Sequence, residues 1–179
     1  NIDFRLLASK SSSDIINVLL EELIASKKFN KEVLSSAQSQ QMVAKALFNE
    51  VQHIIDLYLS GDEAELEKRR YYNQVDKPYD QYPYMLDIAI RLLPKNHSVI
   101  STLKMQKEYL TGLSYRLKMP FTKDFMSMTD TALYFQKKAL ALDSSAAYIH
   151  NEFGILHLYN KNYALAKHHF EIANAVAPL

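Results

Sequence analysis

Apolar residues recur at three- and four-residue intervals along nearly the whole chain, the period of an amphipathic helix. The first such run, Ile16, Leu19, Leu20, Leu23 and Ile24, follows the helix-start signal Ser11-Ser12-Ser13-Asp14. A longer run, Ala37, Ala44, Leu47, Val51, Ile54 and Tyr58, predicts a helix within 31–60, with Asn30 able to cap it, Gly61 able to end it and Gln40 as the polar exception. Its apolar seam is narrow. Such a seam packs a helical hairpin on its own domain, or zips two copies of the chain into a coiled coil. Residues 62–76 place Asp62, Glu63, Glu65 and Glu67 before Lys68, Arg69 and Arg70, the order that the helix dipole favours. Further helices are predicted over about 81–93, 98–118, 124–142, 146–160 and 163–176, with Pro94 and Pro120 after the first two. No segment reads as a strand, because every short apolar run sits inside a longer helical period. The expected fold is therefore all-α. A helical hairpin over 1–61 and helical repeats over 62–179 form one continuous domain.

Composition sharpens this reading. Three glycines and five prolines in 179 residues favour long helices, and 48% apolar residues are enough for a core. A net charge of +1 with mixed signs gives no basic footprint for nucleic acid. No apolar run reaches the roughly 20 residues of a membrane span. The absence of cysteine removes thiolate metal sites, disulfides and cysteine nucleophiles. No signal peptide opens the chain, and any such segment would lie outside it. The compartment stays open, with a cytoplasmic setting favoured.

Residues 147–178 carry a further pattern. Gly154 stands where two antiparallel helices must approach closely. Tyr163 opens the second helix. Ala166, Phe170 and Ala173 follow at its packing positions, and Pro178 closes the unit. This arrangement resembles one tetratricopeptide repeat. Degenerate copies precede it. Gly112 and Tyr115 fit a first helix, and Ala132 with Ala139 fits a second. Ser144 replaces the closing proline, and the connection 119–123 is longer than the family pattern. Ala89 and Pro94 keep the spacing of Ala173 and Pro178, while Arg70 stands where the helix before them should be small. The resemblance implies a right-handed superhelix of antiparallel helix pairs whose concave face, lined by first helices, holds a peptide or protein segment. Carried over residue by residue, that groove falls on Gln106, Tyr109, Leu113 and Arg116, and on Tyr148, Asn151, Ile155 and Tyr159. Glu152 stands where a terminal-carboxylate clamp would need asparagine, so capture of a C-terminus is not expected.

Other constellations read as packing. His150 and His157 lie two turns apart but do not form His-Glu-x-x-His, and they occupy aromatic packing positions of the repeat. No metal or cofactor is expected. No serine sits in a nucleophile elbow, no glycine-rich loop cradles phosphate, and no catalytic role is expected. Tyr71, Tyr72, Tyr79, Tyr82 and Tyr84 form a cluster that either covers a helix junction or offers a sticky surface to a partner. Arg69 and Arg70 beside it either form a solvated helix end, the favoured reading, or bind an acidic segment. The expected function is a protein-interaction scaffold. The alternative is a regulatory or oligomerisation module of a larger signalling or enzymatic protein. A homodimer would use the 31–60 helix or the C-terminal hairpin. The array is expected to continue past Leu179, or to have its end covered by another molecule.

Overall fold

A computed structural model describes residues 36–72 and 78–177. Among them are seven α-helices, two short 3₁₀ turns and no strand. The helices are α1 Ala37–Leu59, α2 Glu63–Arg70, α3 Tyr82–Leu92, α4 Ile100–Lys118, α5 Phe125–Leu142, α6 Ala147–Tyr159 and α7 Tyr163–Val176. The expected helix start at 11–14, the cap at Asn30 and the closing Pro178 lie outside the described residues.

The helix ends follow local chemistry. Ser36 Oγ accepts from the Ser39 amide at 3.0 Å, satisfying one free donor of the first turn of α1. The turns after α1 and α6 are built alike. Gly61 at φ 71° and Lys161 at φ 57° both take the left-handed conformation. The amide of Asp62 donates to Leu57 O at 2.9 Å, and that of Asn162 to His157 O at 2.8 Å. The side chains of Asp62 and Asn162 then cap α2 and α7 by accepting from Glu65 N and Leu165 N. Gly61 holds its position without strain, whereas Lys161 must tolerate it.

Packing is sequential. α1 lies against α3, α3 against α4, α4 against α5, α5 against α6, and α6 against α7, with α4 also touching α6. The core runs through Leu47, Val51 and Ile55 of α1, Leu86 and Ala89 of α3, and Leu103, Leu110 and Leu113 of α4. Each fully buried leucine or isoleucine contributes about 1.5–3 kcal/mol relative to exposure. The narrow seam of α1 is therefore spent inside the chain. Ala44, Leu47, Val51 and Ile54 are buried there, while Ala37 at the start of the seam is exposed.

Two glycines allow close approach. A Cβ on Gly112 would stand 2.7 Å from Gln136 Nε2 and 3.0 Å from Ala132 O, so α4 and α5 meet backbone to backbone. A Cβ on Gly154 would run into the ring of Phe170, which lies across α6 at that point. The predicted helix over 62–76 is shorter than expected and ends at Arg70. Beyond it Tyr72 turns inward, where its hydroxyl donates to Asp80 at 2.8 Å. Arg69, expected in solvent, is buried, while Arg70 is exposed.

Candidate functional site

The eight residues expected to line a groove separate into two groups. Gln106, Tyr109 and Leu113 are buried and present no surface. Arg116, Tyr148, Asn151 and Ile155 are half-buried, and Tyr159 is exposed. Gln106 Nε2 donates to Gln52 Oε1 on α1 at 2.6 Å. Tyr109 meets the Tyr148 ring edge-on, with centroids 4.6 Å apart. Arg116 is engaged by Glu152, which is fully buried. Its Nη2 donates to Oε1 at 2.9 Å while Nε donates to Oε2, a bidentate clamp between α4 and α6. The lone cation expected in the groove is therefore neutralised within the chain.

α2 and the 3₁₀ turn Pro78–Asp80 supply the groups packed beside these helices. The Arg69 guanidinium lies 3.6 Å from the centroid of the Tyr58 ring. Its Nε donates to Glu65 Oε1 at 3.1 Å and to Tyr79 Oη at 2.9 Å, and the Tyr79 hydroxyl donates to the Glu65 carboxylate. Tyr79 meets Tyr72 and Tyr82 through tilted and edge contacts. Four of the five clustered tyrosines thus pack a junction, and Tyr71 alone is exposed. Asp80 binds Lys118 Nζ at 2.7 Å, tying the turn to the end of α4.

Beside this junction lies a cleft of about 450 Å³. The end of α1 and its turn contribute Tyr58, Leu59, Ser60 and Gly61. α6 contributes Ala147, Tyr148 and Asn151, and α7 with its end contributes Phe170, Ala173, Asn174 and Ala177. Two groove residues, Tyr148 and Asn151, thus lie on its wall. Asn151 Nδ2 donates to Tyr58 Oη at 2.5 Å, joining the two sides. Burial, and then the nearby Glu152 carboxylate, pushes the Tyr58 phenol above its ordinary pKa. Burial likewise raises Tyr148. Both remain neutral at ordinary pH and offer polar atoms without charge. No charged side chain lines the cleft among the described residues. Sequence periodicity placed Tyr58 at the end of a seam. It gave no signal that the turn after α1 would share a cleft with α7.

The histidines occupy the α6–α7 interface. His150 Nδ1 lies 3.0 Å from His169 Nδ1, and His150 Nε2 lies 3.0 Å from Ser144 O. A carbonyl only accepts, so Nε2 of His150 carries the hydrogen. In the neutral pair His150 Nδ1 is then the acceptor and His169 Nδ1 the donor. His169 also stacks against both Phe153 and His157, at 4.8 and 5.6 Å. Among the described residues no three histidine, aspartate or glutamate side chains converge as a metal shell. No helix of the described residues is long and apolar enough to cross a membrane. Neither a protein-family model, nor a curated protein, nor a solved structure matches this chain.

Proposed function

We propose that the chain is a protein-interaction scaffold of tetratricopeptide type, and that it binds an uncharged segment of a partner protein. The observation that carries the reading is the uncharged cleft between the turn after α1 and the α6–α7 hairpin. Its lining combines aromatic and aliphatic surface with the amide and hydroxyl groups of Asn151, Asn174 and Ser60. That combination suits a peptide whose backbone needs hydrogen-bond partners and whose side chains are apolar or polar without charge. The repeat assignment draws support from the matching turns at Gly61 and Lys161 and from the close approaches at Gly112 and Gly154. On this reading the inner face of a right-handed superhelix is partly filled by α2 and the tyrosine junction. The ligand site is displaced from the middle of α4 towards α6 and α7.

The test is selection of peptides from a random displayed library on the wild-type chain. Binding of the selected peptides is then compared in Asn174→Arg, where an exposed position of the cleft wall is filled with a cation. A loss of at least about tenfold, roughly 1.4 kcal/mol, with unchanged melting temperature is expected. Equal binding to both proteins would sink the reading.

A second reading, a self-associating module of a larger protein, is favoured by exposed apolar side chains on the last hairpin. Leu158 and Tyr163 are exposed and border a shallow apolar depression with Ala166 and Phe170. Sedimentation across a wide concentration range decides it, and a monomer throughout counts against it.

A further inference from the structure

We propose that α7 is an acid-releasable latch, held on α6 through neutral histidines and parted from it when they are protonated, while α3–α5 stay folded.

The geometry has two parts. First, α7 has the lightest hold of the long helices. Ala166 is its sole buried residue, whereas α3 and α4 each bury six or more. Second, the rings that meet across the α6–α7 interface include His150, His157 and His169, with His168 at the edge, 5.6 Å from His169. A histidine stack is an apolar contact only while its members are neutral.

The protonation chemistry follows from the hydrogen bonds. A proton added to His150 must go on Nδ1, because Nε2–H is committed to Ser144 O. It would then face the Nδ1–H of His169 across 3.0 Å, and the bond between the two helices is lost. A proton added to His169 Nε2 preserves that bond but places a cation among three other titratable rings.

No described carboxylate of the packed elements is bonded to this cluster. On α5 the nearby charge is Lys137, which adds repulsion at His157. On α6 Glu152 is held by Arg116. In the turn before α6, Asp143 accepts from Ser145 N and Oγ. On α7 Lys167 and Glu171 pair with each other on the exposed side. Desolvation first, then repulsion from His150, His157 and His168, pushes His169 down to about 4. Because that value lies below the unfolded one of about 6.5, the unfolded or released form binds more protons. The stability of the latch is therefore full above about pH 6.5 and is lost as pH falls towards 4.

Release would also remove Phe170, Ala173 and Asn174 from the cleft. That consequence rests on the peptide-binding reading, while the release itself does not.

The experiment uses no ligand. The chain has no cysteine, so a pair introduced at two exposed positions, Asp130→Cys on α5 and Ala175→Cys on α7, takes spin labels cleanly. The distance distribution is expected to be narrow at pH 7.5. It should broaden and lengthen by pH 5, with far-UV helicity falling by no more than the share of α7. His169→Phe, which stacks on Phe153 but does not titrate, should keep the narrow distribution at pH 5. His53→Gln, an exposed position on α1, should leave the transition in place. A nitrogen-detected titration of the histidine rings in the wild-type chain provides a measurement that needs no variant. His169 should stay neutral until the distance changes. The latch is overturned by an unchanged distance at pH 5, by global loss of helix over the same range, or by His169 titrating near 6.5 with α7 still docked.

Discussion

At the scale of single residues, Gln136 and Gly112 have linked jobs. Gln136 is fully buried on α5, and its Nε2 donates to Tyr109 O at 3.0 Å, reaching into the backbone of α4. Gly112 is what lets it do so. In a solvent-facing helix, replacing glycine by alanine stabilises by about 1 kcal/mol. Here the added methyl meets Gln136 Nε2 and the Ala132 carbonyl at once. Gln136 cannot swing away without giving up its bond, and the carbonyl belongs to a helix. Overpacking of this kind costs about 1–3 kcal/mol. Gly112→Ala is therefore expected to gain nothing from its helix propensity, and to destabilise by up to about 2 kcal/mol net after the two effects are combined. Urea denaturation monitored by circular dichroism measures it, and a rise in the midpoint would show that the helices can part without loss.

At the scale of elements, α2 is the instructive case. Asp62, Glu63 and Glu65 at its start and Lys68 to Arg70 at its end made its existence legible, and a side-chain cap at Asp62 is in place. The fate of Arg69 was not legible. Nothing in an eight-residue polar helix says that one arginine will be turned under the ring of Tyr58. Its Nη1 and Nη2 have no hydrogen-bond partner, and neither has Glu65 Oε2. A buried ion pair left partly unsatisfied makes little net contribution to stability, but removing one partner strands the other. Glu65→Leu alone is expected to cost about 3–5 kcal/mol, whereas Glu65→Leu with Arg69→Met should recover most of that loss. A double-mutant cycle on unfolding free energies measures the coupling, and additive losses would argue against it. The same contrast runs through the other helices. Apolar periodicity and the breaks between runs located α3 to α7 to within one or two residues. It could not foresee that α1 would cover Gln106 through Gln52, or that Arg69 of α2 would lie near Tyr109. Those positions were drawn from a repeat pattern in which nothing intervenes between the paired helices.

At the scale of the whole molecule, burial is graded along the chain. α4 touches α3, α5, α6 and both 3₁₀ turns, and Leu103, Tyr109, Leu110 and Leu113 are wholly enclosed. α7 packs chiefly on α6, and most of its surface faces solvent. Between these extremes the link is both apolar and polar: Ile149 and Phe153 of α6 share the core with Leu110 and Leu113 of α4, and the Arg116–Glu152 clamp joins the two helices. A chain built this way, with each helix leaning on its sequence neighbours, is expected to open in stages. Hydrogen exchange at pH 7.5 should be slowest in α4, intermediate in α5 and α6, and fastest in α7 among the helices from α3 onward. The slowest amides should follow the global unfolding free energy, and those of α7 should exchange through a smaller, local opening that leaves α4 protected. Truncating the clamp with Glu152→Ala should accelerate α6 and α7 together while leaving the order of α3 and α4 unchanged. If all helices instead exchanged at one rate set by global unfolding, the molecule would be a single cooperative unit. The end helix could not then move without the centre.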